Sequence, residues 1–216
     1  MKVNIKRFDG ERWEFRTYSV EVSDNPTVLE LLIKIKEEID PTLTFRAMCR
    51  SSICGTCGVK VNGEHRLACN TRVSEEEITI EPADGLMPLR DLVTDHGALI
   101  SRIRSLPSWV KDGGGASRSF TKAWDCILCG ICDSLCPPLI EGTKFAGPMA
   151  ITRFFRSEGD IKEWVDLLKG CVHCSNCTLF CPKSCMPERW VTALEGKLEK
   201  MGYIQKSGGE FDFLGF

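Results

Sequence analysis

Nine of the thirteen cysteines lie between Trp124 and Pro187, and eight of those nine form two runs with one spacing. The first is Cys126, Cys129, Cys132 and Cys136 followed by Pro137; the second is Cys171, Cys174, Cys177 and Cys181 followed by Pro182. Each reads C-x2-C-x2-C-x3-C-P. Three thiolates three residues apart on a tight turn can converge on three irons of one cubane, while the fourth lies a turn further along and ligates the other cluster. The spacing therefore predicts one 4Fe-4S cluster on Cys126, Cys129, Cys132 and Cys181. It predicts a second on Cys136, Cys171, Cys174 and Cys177, so that the two runs fold against each other. The same residues could serve a zinc site, which needs four Cys or His ligands in a closed tetrahedron, or a disulfide framework. Zinc accounts for pairs of C-x2-C knuckles, but it calls for neither the third cysteine at the same interval nor the proline.

A second cysteine set stands apart from these runs. Cys49, Cys54 and Cys57 follow C-x4-C-x2-C, and Cys69 comes after eleven further residues. This is the plant-type 2Fe-2S spacing, in which one loop wraps the cluster and a distant strand supplies the fourth thiolate. Gly55 and Gly58 are expected to let the backbone approach the sulfides, so that loop amides can stabilise the reduced, more negative cluster. Buried structural cysteines are the bland alternative. The thirteenth cysteine, Cys185, follows Cys181 too closely to add a ligand position and is expected to pack beside the clusters.

Around these motifs the pattern predicts an α+β chain. Lys2 to Arg7 and Glu14 to Val22 alternate apolar and polar residues around the turn dipeptide Asp9-Gly10, which reads as a hairpin. Asn25 before Pro26 reads as a helix cap, and Val28, Leu31, Leu32 and Ile35 recur at helical spacing to about Glu38. With short strands at Gly58 to Val61 and Ile78 to Glu81, this suggests a β-grasp domain. Leu92, Val93, His96, Leu99, Ile100 and Ile103 again fall at helical spacing and predict a helix over Asp91 to Ile103. His96 is assigned a packing role. Short helices are expected through Met149 to Phe155, Ile161 to Lys169 and Glu188 to Met201, making the second half an all-α domain with two clusters. The divisions are a 2Fe-2S ferredoxin domain at 1–106, a Gly- and Ser-rich linker at 107–119, a helical domain at 120–206 and a tail at 207–216. The aromatic tail, with Phe211, Phe213, Leu214 and Phe216, is expected to contact a partner.

With a net charge of -2 over 216 residues, the chain advertises no basic face for nucleic acid or an anionic membrane. The odd cysteine number and the polar start MKVNIKRFDG point to a reducing compartment. No apolar run approaches the ~18 residues of a spanning helix. The expected location is cytoplasmic, or at the inner face of the cell membrane through partners.

One plant-type 2Fe-2S domain followed by a helical domain with two C-x2-C-x2-C-x3-C-P runs closely resembles the iron-sulfur subunit of succinate dehydrogenase and fumarate reductase. Local matches are Cys49-Arg50, Ile53-Cys54-Gly55, Leu67-Ala68-Cys69, Arg90-Asp91-Leu92-Val93, Cys126-Ile127-Leu128-Cys129-Gly130, Phe145-Ala146-Gly147-Pro148 and Cys181-Pro182-Lys183. The resemblance implies a relay of single electrons. A separate flavoprotein would carry FAD and the dicarboxylate, and a further redox subunit, either cysteine-rich and disulfide-reductase-like or a membrane anchor, would stand at the other end. No residue here is a candidate acid, base or nucleophile. Two features depart from most family members. Cys174 fills a middle position that is not cysteine where the third cluster is 3Fe-4S, so a third 4Fe-4S cluster is expected. Val172 and Pro138-Leu139-Ile140-Glu141 stand where quinone-reacting members have a histidine and an aromatic residue. This resembles variants that work with a cysteine-rich subunit, including thiol-dependent fumarate reductases. The competing functions are a free polyferredoxin-type carrier and the relay subunit of another flavoprotein oxidoreductase.

Overall fold

The computed structural model describes residues 1–22, 24–106, 122–155 and 161–205; the expected linker at 107–119 and the tail at 207–216 lie outside them. The first half is built on strands β1 (Lys2–Phe8), β2 (Trp13–Ser19), β3 (Gly58–Val61), β4 (Glu64–Leu67) and β5 (Glu77–Pro82), arranged β2-β1-β5-β3-β4. Central strands β1 and β5 run parallel, with Lys2 opposite Glu77 and Ile5 opposite Ile80, and the other pairs are antiparallel. Val3, Ile5, Val59, Val61, Ile78 and Ile80 alternate inward, as the two-residue period of a strand demands. Helix α1 (Val28–Lys34), extended by a π turn at Ile35–Ile39, lays Val28, Leu31, Leu32 and Ile35 across that face. Burying each such side chain contributes about 1.5–3 kcal/mol. The expected β-grasp arrangement, a mixed sheet with one helix across it, is the one observed.

The cap of α1 is Thr27, not Asn25. Thr27 Oγ1 accepts a hydrogen bond from the Glu30 amide at 3.2 Å, and the Glu30 carboxylate accepts one from the Thr27 amide at 2.6 Å. This reciprocal box satisfies two orphan amides at once, more than Asn25 alone could do from ahead of Pro26.

The helix expected over Asp91 to Ile103 starts later. Pro88–Arg90 (β6) and Val93–Thr94 (β7) form a small hairpin, and helix α2 spans Gly97–Arg104 with His96 as its cap residue. A tertiary demand overrides the periodicity. Asp91 is buried at a φ of 46°, and its carboxylate accepts from Arg7 Nε at 2.7 Å, the Phe8 amide at 3.2 Å and the Thr44 amide at 2.8 Å. Arg7 also donates to Tyr18 Oη and to Asp40, each at 2.7 Å. One buried guanidinium thus ties both strands of the first hairpin to the segment that leads into Cys49.

Every regular element described from Lys122 onward is helical. Helices α3 (Ile131–Ser134), α4 (Pro137–Ile140), α6 (Val165–Leu168) and α7 (Asn176–Leu179) have four residues each. Longer helices α5 (Pro148–Phe154) and α8 (Pro187–Lys200) pack Ile151, Phe154, Val191, Leu194 and Leu198 around the fully buried Trp164. The halves interlock. Ile131 of α3, with Leu135 and Phe180, enters the core of the sheet, while Leu99 and Ile103 of α2 pack with Met149 and Cys132.

Candidate metal centres

The first centre is a loop that folds back on its own thiol. Arg50 and Ser52 both adopt left-handed backbone, with φ of 58° each. Such alternation turns successive amides toward one point and makes a concavity for an anion. Cys49 Sγ accepts from the amides of Ser51 at 3.4 Å, Ile53 at 3.3 Å and Cys54 at 3.3 Å. Those amides, Ser51 first, lower the Cys49 thiol to about 6. Cys69, two residues beyond β4, accepts from the Ser52 amide at 3.3 Å. Burial pushes the Cys57 thiol up to about 12, with Cys69 and Cys54 close enough to raise it further. Cys54, Cys57 and Cys69 thus act on one another, and Cys49 already favours the thiolate.

The two C-terminal runs repeat each other in conformation as well as in spacing. Two and four residues after the first cysteine, Leu128 and Gly130 in one run and His173 and Ser175 in the other all have positive φ, of 56°, 80°, 48° and 60°. Each left-handed pair turns the chain so that the third cysteine enters a four-residue helix, Cys132 in α3 and Cys177 in α7.

The fourth cysteine of each run crosses over. Cys181 joins Cys126, Cys129 and Cys132 around one cavity, and Cys136 joins Cys171, Cys174 and Cys177 around another. Electrostatic proximity mostly follows the same partition, although Cys177 also acts on Cys132 across it. Burial raises Cys129 to about 12, and its neighbours Cys126 and Cys181 add to this. Burial raises Cys177 to about 12 and Cys136 to about 11, with Cys171 and Cys174 contributing to both. A buried thiol held this high gives up its proton only when a metal compensates the charge. All thirteen cysteines are free thiols. Among the described residues, no three His, Cys, Asp or Glu side chains converge tightly enough for a single ion.

Cys185 is buried to 1% exposure and lines the same cavity as Cys181. Its amide donates to Cys181 Sγ at 3.2 Å. The Cys185 thiol, and then the backbone amides around it, hold Cys181 down at about 6. Cys185 is a fifth thiol at this centre that supports a member of the four.

Sequence reasoning missed three features. Gly55 was expected to face sulfides, yet a Cβ there would stand 2.8 Å from both Cα and Cβ of Cys129. Nothing in the spacing singles out His173, yet its ring spans two carboxylates of α8, Nδ1 lying 3.2 Å from Glu188 and Nε2 3.4 Å from Glu195. Asp133, between Cys132 and Cys136, is buried, accepts from the Met149 amide at 2.9 Å and pairs with Arg102 of α2. Burial raises its carboxyl to about 6. Only an acid inside a cysteine run hinted at this last role.

A family model described as a 2Fe-2S iron-sulfur cluster binding domain matches residues 2–101, and one described as a 4Fe-4S dicluster domain matches residues 119–185. The chain is 31% identical to succinate dehydrogenase (ubiquinone) iron-sulfur subunit 1, mitochondrial, of Oryza sativa subsp. japonica, over 89% of this chain and 82% of that one. It is 32% identical to the 8-methylmenaquinol:fumarate reductase iron-sulfur subunit of Wolinella succinogenes, over 85% of this chain and 68% of that one. Among solved structures, a chain of the Mycobacterium smegmatis Sdh1 complex in the apo form superposes with a TM-score of 0.82 at 25% identity, covering 95% of this chain and 98% of that chain.

Proposed function

Because the chain belongs to the iron-sulfur subunits of the succinate dehydrogenase and fumarate reductase family, we propose a division of labour among its three groups of cysteines. The protein is an electron-transfer subunit of an oxidoreductase complex with 2Fe-2S and 4Fe-4S domains. In our reading Cys49, Cys54, Cys57 and Cys69 hold the 2Fe-2S centre. Cys126, Cys129, Cys132 and Cys181 hold a 4Fe-4S centre, and Cys136, Cys171, Cys174 and Cys177 hold a third, also 4Fe-4S because Cys174 supplies the fourth thiolate. The observation that carries this is the crossover, with Cys181 lining the cavity of the first run and Cys136 that of the second.

When bound, the clusters supply reversible one-electron chemistry, and the chain supplies their spacing and potentials. Amides aimed at Cys49 and Cys181 favour negative charge on those sulfurs. A dicarboxylate and FAD belong on a flavoprotein partner that meets the first domain, residues 1–106. The helical domain, residues 120–206, delivers electrons to a further redox subunit. The two curated relatives are named for quinones. Val172 and Cys174 set this chain apart and favour a cysteine-rich or soluble partner at the third centre, since cluster type and charge set the potential. Among the described residues no helix is long and apolar enough to cross a membrane.

Anaerobic purification tests the reading directly. About ten irons per chain are expected for one 2Fe-2S and two 4Fe-4S centres; one or two zincs with little sulfide would sink it. Cys174→Ser should convert the third centre to a 3Fe-4S form visible by EPR of the oxidised protein. A wild-type 3Fe-4S signal with rapid quinone turnover would overturn the assignment of both the centre and the acceptor. Copurification with an FAD subunit that interconverts succinate and fumarate separates this relay from a free polyferredoxin.

A further inference from the structure

Electrons leaving the first centre must cross from the sheet half to the helical half, and the described structure brings Cys54 to Cys129 through a single residue. Gly55 follows Cys54 and lies at a φ of +72°, and a Cβ added to it would stand 2.8 Å from Cα and Cβ of Cys129 and 3.3 Å from its amide nitrogen. These are backbone and near-backbone atoms that cannot swing aside as the tip of a long side chain could. A second close approach is made by Gly85, at a φ of +68°, which faces Ser134, whose carbonyl oxygen would lie 2.5 Å from an added Cβ. A Cβ added at Gly58 would make only an ordinary contact, 3.8 Å from Ile131 Cγ1. On the far side of the seam Ile131 is 2% exposed and locked into the core of the sheet. An apolar plug closes the seam, and glycines set how far it closes.

We propose that Gly55, seconded by Gly85, is a positioning residue for electron transfer, fixing the separation between the centre held by Cys54 and the centre held by Cys129. This rests on the ligand sets proposed above. One electron at a time leaves one centre and enters the other, in either direction, with no bond or proton changing place at the seam. Tunnelling falls steeply with separation, so a methyl group that wedges the seam slows the exchange without altering either centre. Positive φ alone would also call for glycine. Gly63 supplies the control, because its φ is +84° and an added Cβ there meets nothing within 4 Å.

The experiment uses the full chain with its centres intact in wild type and in Gly55→Ala, Gly85→Ala and Gly63→Ala. The readouts are iron content, the potential of each centre, the exchange rate after rapid photoreduction and the spin relaxation of the reduced 2Fe-2S signal by its neighbour. Gly55→Ala should keep its iron and both potentials, while exchange slows several-fold and relaxation enhancement weakens. Gly85→Ala should follow in the same direction, and Gly63→Ala should match wild type. Wild-type exchange and relaxation in Gly55→Ala, or shifted potentials with unchanged relaxation, would overturn the proposal. Should Gly55→Ala fail to assemble, Gly85→Ala decides by the same two readouts. A wild-type chain lacking the 2Fe-2S signal would instead overturn the ligand sets.

Discussion

The sheet half and the helical half hold their thiols by opposite means. Around Cys49 the loop is largely exposed, and it is held by backbone amides, with the buried Arg7–Asp91 pair fixing Thr44 upstream of it. Most of this scaffold's core is its own, from Val3 and Ile5 through Leu31 and Leu32 to Ile78 and Ile80, with Ile131 of α3 added from the helical half. In the helical half Cys129 and Cys132 are raised by burial, and the segments that carry the cysteines are helices of four residues. Isolated helices shorter than about 12–15 residues are marginal in water. The sheet half is thus a folded platform that receives a centre, whereas the helical half needs its centres as part of its core.

Removing the clusters should break this symmetry most visibly. Chelation under oxidising conditions is expected to abolish amide protection over residues 126–136 and 171–185, since metal-binding energy there is folding energy. Protection at Val3, Ile5, Ile78 and Ile80 should persist, as read by hydrogen exchange with mass spectrometry. Simultaneous loss of protection in both regions would show that the sheet is no independent platform.

The next largest effect comes from the opposite half. Asp91→Ala leaves Arg7 buried with its principal partner gone, and losing one member of a buried pair costs about 3–5 kcal/mol. Urea unfolding followed through the sheet should show that loss, with Thr44 and the Cys49 loop loosened and the helical half retaining its iron. A cost below about 1 kcal/mol, the range of exposed pairs, would mean that Asp40 and Tyr18 suffice for the guanidinium.

Cys185→Ala sharpens the contrast within the helical half. Iron content should be unchanged, since the Cys185 amide that donates to Cys181 survives the change, and stability should fall by about 1 kcal/mol for the lost hydrogen bond of the thiol itself, whereas Cys181→Ala should lose a whole centre. The reverse outcome would exchange their roles.

What could be read from the sequence follows from how far apart the partners are along the chain. The cysteine spacings encode local turns, so the two runs and the 2Fe-2S loop were legible, as were the strands and the apolar face of α1. Asp91 was not, because its partner Arg7 lies 84 residues away, and the apolar residues that follow it mimic a helix. Thr27 was passed over because Asn25-Pro26 offers a stronger composition cue than a box whose second member is a side chain. Gly55 announced a turn, but its neighbour Cys129 belongs to another motif, and the sequence does not say which motifs touch.

His65 gives the smallest effect and one confined to the sheet half. It lies inside β4, 2% exposed, and Nε2 accepts from the Asp84 amide at 3.1 Å. Burial holds its pKa below the ordinary histidine value, with Lys60 pushing the same way and Asp84 and Glu81 opposing. The neutral ring is the one that fits, because a proton on Nε2 would confront the Asp84 amide with a second donor, and the carboxylate of Asp84 at 3.6 Å only partly offsets this. A histidine whose folded pKa is depressed contributes stability that is present above its unfolded value, near about 6.5, and is lost as the pH falls through the folded one. Stability of the sheet half should therefore decline on acidification below that point. His65→Gln keeps an acceptor for the amide but cannot titrate, so it should flatten this acid slope while lowering stability slightly at neutral pH. Equal slopes in the two proteins between pH 8 and pH 5, measured as urea midpoints on the sheet signal, would assign the acid sensitivity to the carboxylates around Lys60 instead.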